Sequence, residues 1–386
     1  MLKDGFLAAV ARARAALIAD AGRLWGVDLS SARWIGSTDD SWLATEDPGL
    51  PDFAYDGLLW VGPRPAEGTR ADTAIDWAGR RWAIVALPMR GDPVRTLIHE
   101  CWHAHGEPSL FPGVGAEMAI GGGDLLDRAD GRLWLRLECA ALARGSLVDA
   151  AAFRRRRSDE ASVAEWRREC GLELVEGLAE YTAWRLSGAD SAMVGEYVGA
   201  LPLDGSLVRS FMYRTVPAYG FLLDDAVPDW RRNVVIARDL GAVLPSSRRA
   251  EEIAESYGFG HIHAEERARD KDREIALAET RRRFAGPLLR IRPGSLSIDF
   301  NPQRVRLLDE GTVYEGLGWR IADGAALRVE GEALVTVDWR EIHVPLDTGD
   351  SDAMPRSGGG WSLTLPVDWR INRDERGWLV EPPASF

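Results

Sequence analysis

The chain has 386 residues, 46% hydrophobic and 28% charged, the balance of a globular protein with length for one large or two ordinary cores. Its formal charge of −13 argues against nucleic acid or a strongly anionic membrane surface as a partner. Nothing approaches the roughly 18 uninterrupted apolar residues of a membrane-spanning helix, and Arg12 and Arg14 interrupt any signal-peptide core, so the expected location is cytoplasmic.

Leu2, Phe6, Leu7, Val10, Leu17 and Leu24 recur at helical spacing, which predicts an amphipathic helix over 4–25. Between about 32 and 88 the pattern shortens. Runs at 57–61, 73–77 and 82–87, separated by Gly, Pro and Asp, read as strands of a small antiparallel sheet, with Ala78-Gly79-Arg80 turning a hairpin. The strand at 82–87 looks like an edge that could pair with an extended peptide. Asp92 and Pro93 then form an N-cap and first turn for a helix through residue 103. Residues 106–130, with Gly121-Gly122-Gly123, read as loop. Helices follow at 132–144, at 161–187 with a break near Gly171, at 206–224 and 227–240, and at 265–283. The run Arg154–Arg157 reads as a solvated helix face or loop rather than a binding patch. After Gly286-Pro287 the chain turns strand-like, at 288–292, 295–299, 326–329, 333–337 and 361–365. The expected organisation is therefore an α+β domain over 1–286 and a β-rich domain over 287–386. Cys101, Cys139 and Cys170 are scattered and form neither a disulfide framework nor a Cys-based zinc site; buried reduced thiols are expected.

The chemistry concentrates at His99-Glu100-Cys101-Trp102-His103, an H-E-x-x-H run on the predicted helix. Residues four apart share a face, so His99 and His103 can hold one metal ion while Glu100 aims at its open position. A third ligand decides the class. The pattern in which a third His follows a Gly turn fails, because Gly106 is in place but the required position is Ser109. His105 points to another face, and His261 and His263 lack companions; pocket-lining or surface roles are expected for them. Glu176-Gly177-Leu178-Ala179-Glu180 offers the alternative. Glu176 and Glu180 are one turn apart, so one can bind zinc while the other accepts the proton of a ligating imidazole, and Gly177 removes a side chain where helices must approach.

Ile98–His103 and Val175–Tyr181 resemble the gluzincin metallopeptidases, the thermolysin-like and aminopeptidase-N-like enzymes. The resemblance covers roughly 80–225 and not the β-rich segment. It implies a zincin-like fold, a small sheet over an active-site helix with a helical lower half. It also implies Glu176 as third zinc ligand, with Val175 and Leu178 replacing the Asn and Phe of the aminopeptidase pattern, and Glu180 as the acid that orients a zinc His. Arg209–Tyr213 is similar to the segment whose Tyr donates to the oxyanion. That implies the role for Tyr213, with Tyr219 as the alternative; Thr215 and Val216 depart from the family's Lys and Gly. The spacer between His103 and Glu176 is far longer than usual, and no segment for a substrate's free amine precedes the zinc helix.

The expectation is a Zn2+-dependent peptidase acting on a peptide or protein substrate, with His99, His103 and Glu176 as ligands and Glu100 as general base. The contrasting reading is a catalytically silent zinc protein whose β-rich domain is the working surface.

Overall fold

The structure is a computed structural model that describes residues 2–383, except 66–67, 69–70, 115–123, 209, 246–247, 295, 297, 301–303, 322–323 and 347–355. The run Gly121–Gly123 lies outside the described residues. The fold is α+β. Two compact units are present: one holds most of the chain up to Phe259, the other Gly260 onward plus two short stretches before Trp134 and Ser210.

In the first unit, β1 (Trp34–Ser37), β2 (Ser41–Ala44), β3 (Ala54–Tyr55), β4 (Trp60–Pro63), β5 (Thr73–Trp77) and β6 (Arg80–Ala86) form one sheet in the order β3-β4-β2-β1-β6-β5. It is mixed rather than antiparallel throughout, because β6 pairs parallel to β1. The expected hairpin is present: Trp77 faces Arg80 across a two-residue turn whose central residues, Ala78 and Gly79, have φ of 49° and 70°, the left-handed pair that matches strand twist. One sheet face packs Ile35, Trp42, Phe53, Trp82 and Ile84 with Trp60, Ile75 and Trp77. The other face of β6, Ala83 and Val85, is buried as well, and α2 (Pro93–Cys101) packs against β6. The expectation that 82–87 is a peptide-accepting edge is overturned. Its backbone is bonded to β1 on one side and β5 on the other, and β5 is the outer strand.

Helix α1 (Leu2–Asp20) buries Phe6, Ala9, Val10, Ala13 and Leu17, the periodic face seen in the sequence. Beyond α2 come α3 (Glu107–Leu110), α4 (Ala129–Ala143), α5 (Leu147–Glu160), α6 (Val163–Leu172), α7 (Leu178–Leu186), α8 (Ser191–Gly199) and α9 (Met212–Ala226). Helix α9 closes on α7 at Gly220, where a Cβ would lie 2.2 Å from the Tyr181 ring.

Among the described residues, the second unit carries a ten-stranded sheet. Its main path runs Ser357–Gly358, Trp361–Thr364, Ala326–Thr336, Ile342–Pro345, Leu288–Ile291, Gly377–Glu381, Arg370–Asp374; Gly311–Arg320 also pairs with Ala326–Thr336. Leu289, Ile291, Leu317, Trp319, Val335 and Trp361 are among its core. Helix Phe259–Phe284 starts earlier than the charge pattern suggested, so His261 and His263 sit on a helix, two residues apart, with the His261 side chain 78% exposed. No helix among the described residues is long and apolar enough to cross a membrane.

Two glycine substitutions should move stability in opposite directions. Gly220→Ala drives a methyl into Tyr181 and should cost about 1–3 kcal/mol in urea denaturation. Gly5→Ala, in α1 with nothing within 4 Å of the new Cβ, should add roughly 0.5–1 kcal/mol of helix propensity.

Candidate metal centre

The H-E-x-x-H helix begins as its sequence predicts. Asp92 Oδ1 accepts from the backbone N–H of Val94 at 2.9 Å and of Arg95 at 3.3 Å, with Pro93 at the first helical position. Leu97, Ile98, Cys101 and Trp102 are buried, which fixes the roll of the helix and turns His99 and Glu100, 8% and 6% exposed, into the interior. The coil then widens. Trp102–Gly106 is a π turn closed by Glu107 N–H on the Trp102 carbonyl, and it runs directly into α3. A second π turn, Glu173–Gly177, joins α6 to α7 where a break near Gly171 was expected. Each candidate ligand helix therefore carries one extra residue at the site, His103 on one turn and Glu176 on the other; such insertions concentrate at functional positions.

The convergence is tight. His99 Nε2 and His103 Nε2 are 3.1 Å apart, and Glu176 Oε2 is 3.4 Å from each. The opposite ring nitrogens are held by carboxylates: His99 Nδ1 bonds Glu180 Oε2 at 3.0 Å and His103 Nδ1 bonds Glu107 Oε2 at 2.7 Å. Glu180 is steadied in turn by Trp184 Nε1 at 2.8 Å. With both Nδ1 atoms donating, both Nε2 lone pairs turn to one point, where a carboxylate oxygen joins them. Two neutral imidazoles so placed would repel the carboxylate; a positive centre among the three atoms, a metal ion or a proton, makes the arrangement favourable. Ligand atoms about 2.0–2.1 Å from a tetrahedral zinc are themselves about 3.3–3.4 Å apart, so the observed triangle fits such an ion. His99, His103 and Glu176 form a group that can hold a metal ion.

The electrostatics agree. Burial alone would lower both imidazoles, but the carboxylates of Glu176 and Glu180 raise His99 well above its ordinary range, and those of Glu107 and Glu176 raise His103 to about 9. Burial would raise Glu176, yet hydrogen bonds from the two imidazoles hold it far below the usual carboxylate range. The cluster favours positive charge at the imidazole pair. Glu100 behaves differently: burial pushes its carboxyl up to about 7, and its Oε2 is buried with no hydrogen-bond partner. A buried carboxylate oxygen left unpaired is costly, and a water held at the metal's remaining position would satisfy it.

Tyr213, on α9, donates its hydroxyl to Glu176 Oε2 at 2.7 Å, and its ring centroid lies 5.8 Å from that of His99. Gly177 explains how α9 comes so close: a Cβ there would lie 2.4 Å from Val216 Cγ2, three residues beyond Tyr213. Tyr219 is not brought to the cluster. It is fully buried, and its hydroxyl donates to Glu138 Oε1 at 2.9 Å. His105 Nε2 is buried without a partner, and burial with the nearby Arg33 and Arg81 charges lowers its imidazole. Two features escaped the sequence reading. Glu107 follows His103 by four residues, a spacing that places it below the imidazole and was legible in principle. The arginine run is not wholly solvated: Arg154 and Arg157 are 5% and 0% exposed, paired with Glu173, Glu138 and Glu169, while Arg155 faces out.

No protein-family model, curated protein or solved structure matches the chain.

Glu107 and Glu180 should matter to metal affinity without being ligands. Glu107→Gln and Glu180→Gln should each weaken zinc binding about 10–100-fold in competition with a chromophoric chelator, leaving one ion per chain at saturation.

Proposed function

We propose that the chain is a zinc metallopeptidase of the gluzincin type. The observation that carries this reading is the partnerless Glu100 Oε2 beside two imidazoles and a carboxylate that converge on one point. A site meant only to hold the fold together has no use for a fourth acidic group that is buried, unpaired and adjacent.

His99, His103 and Glu176 would bind the ion. Zinc bound by three protein ligands acts as a Lewis acid and lowers the pKa of a coordinated water to about 7. Glu100 would receive the proton of the attacking water at Oε2 and pass it to the leaving amine. Tyr213 has its hydroxyl within 2.7 Å of a ligand oxygen and can swing its donor to the carbonyl oxygen as negative charge develops there. Glu107 and Glu180 keep both imidazoles in the Nδ1–H tautomer. An extended substrate has a strand to pair with in β5, whose outer edge is unmatched among the described strands and which packs against the π turn bearing His103.

The roles separate by mutation. Glu100→Gln should keep about one zinc per chain by elemental analysis and lose hydrolysis of a mixed peptide library by at least a hundredfold. His99→Ala and Glu176→Ala should lose the zinc; unchanged metal content in both would sink the site. Zinc uptake by the wild type with no chelator-sensitive cleavage would favour the silent zinc protein instead.

A further inference from the structure

Beneath the ligand Glu176 lies a buried ion network that the peptidase mechanism does not use. Glu173 is the first residue of the π turn that carries Glu176, and its carbonyl accepts the turn's closing bond from Leu178 N–H. Its side chain points away from the imidazoles, toward α5. There Arg154 grips both carboxylate oxygens, Nε to Oε1 at 3.2 Å and Nη2 to Oε2 at 2.5 Å. The two side chains are 6% and 1% exposed. The guanidinium lies 4.7 Å over the Trp166 ring, and Gly241 leaves room for it: a Cβ there would sit 2.5 Å from Arg154 Nη1.

One turn further along α5, Arg157 binds Glu138 on α4 at 2.9 Å and Glu169 on α6. Glu138 accepts from Tyr219, on the same helix as Tyr213. The network thus ties the π turn, through α5, α6 and α4, to the helix that delivers Tyr213. A π turn is a rare interruption of the α-helix, so contacts around it decide where it falls and which way its side chains are carried. A bidentate Arg–carboxylate pair fixes direction as well as distance. A buried pair of this kind is a weak source of stability, since well-packed apolar residues often replace it without loss.

We infer that Arg154 and Glu173 are positioning residues for Glu176: their pair holds the π turn so that Glu176 Oε2 meets the Nε2 atoms of His99 and His103. This rests on the metal-site reading. The comparison is with Arg132 and Glu266, an equally buried pair at 2.8 Å in the other unit, which touches no ligand.

The test uses the full chain as wild type, as the double variant Arg154→Met/Glu173→Leu, and as Arg132→Met/Glu266→Leu. Zinc affinity is read by chelator competition, ligand geometry by the visible absorption of added Co2+, and folding by thermal melting. The first double variant should lose at least tenfold in zinc affinity and alter the Co2+ bands; the second should keep both within twofold, whatever either does to the melting temperature. Wild-type affinity and spectrum in the Arg154/Glu173 variant overturn the inference alone. If that variant does not fold, Glu173→Gln, which preserves shape and one hydrogen bond, decides it: at least a threefold loss with altered bands supports the inference, and wild-type values overturn it. A wild-type chain that takes up neither ion overturns the metal reading and this inference with it.

Discussion

Two imidazole lone pairs and a carboxylate oxygen face one another across 3.1–3.4 Å inside the protein. In a medium where charges are poorly screened, that arrangement is favourable only around a positive centre. Much of the surrounding architecture makes it unavoidable. Glu107 and Glu180 take the opposite nitrogens and leave the Nε2 atoms no other direction to face. The buried flank of α2 stops the helix from rolling away from the point of convergence.

Precision at that point comes from backbone irregularity rather than from regular helix. The π turn at Trp102–Gly106 is packed by its own first residue: the Trp102 indole is fully buried, 5.0 Å from the ring of Trp25, and a Cβ at Gly106 would lie 2.5 Å from it. Gly106 thus has a packing reason to be glycine unrelated to the third-histidine pattern that its position suggested. The turn at Glu173–Gly177 is packed from the other side by Val216, and only a glycine at 177 admits that contact. Where the chain departs from ideal helix, packed neighbouring side chains fix where the departure falls.

The local chemistry was legible because it depends on short spacings. His99 to His103, Glu176 to Glu180 and the Asp92-Pro93 cap all follow from one helical turn, and the structure reproduces each. What was hidden depends on contacts distant in sequence. Nothing in β1 announces that it will pair parallel to β6, about fifty residues on, so the sheet read as antiparallel and β6 as an edge. Arg154 and Arg157 read as solvated because a four-arginine run usually is; their acidic partners, Glu173, Glu138 and Glu169, are 12–19 residues away and could not be assigned to them. The resemblance favoured Tyr213 and kept Tyr219 as the alternative. Six residues apart on a helix, they cannot both face one point, and only the packing of α9 on Gly177 and Gly220 decides which does.

The charge distribution bears on the choice between an enzyme and a metal-stabilised binding module. The carboxylates around the imidazoles are of two kinds. Glu107, Glu176 and Glu180 are each tied to an imidazole nitrogen, within or beside the group that can hold a metal ion. Glu100 Oε2 has no hydrogen-bond partner, although the residue is as buried as His99. Burial raises its carboxyl, the two imidazoles pull it back, and Asp72 and Glu176 push it up again, so position 100 carries a desolvation penalty that an apolar residue would not. A buried carboxyl beside the point on which His99, His103 and Glu176 converge is the kind of perturbed group that marks a candidate functional site.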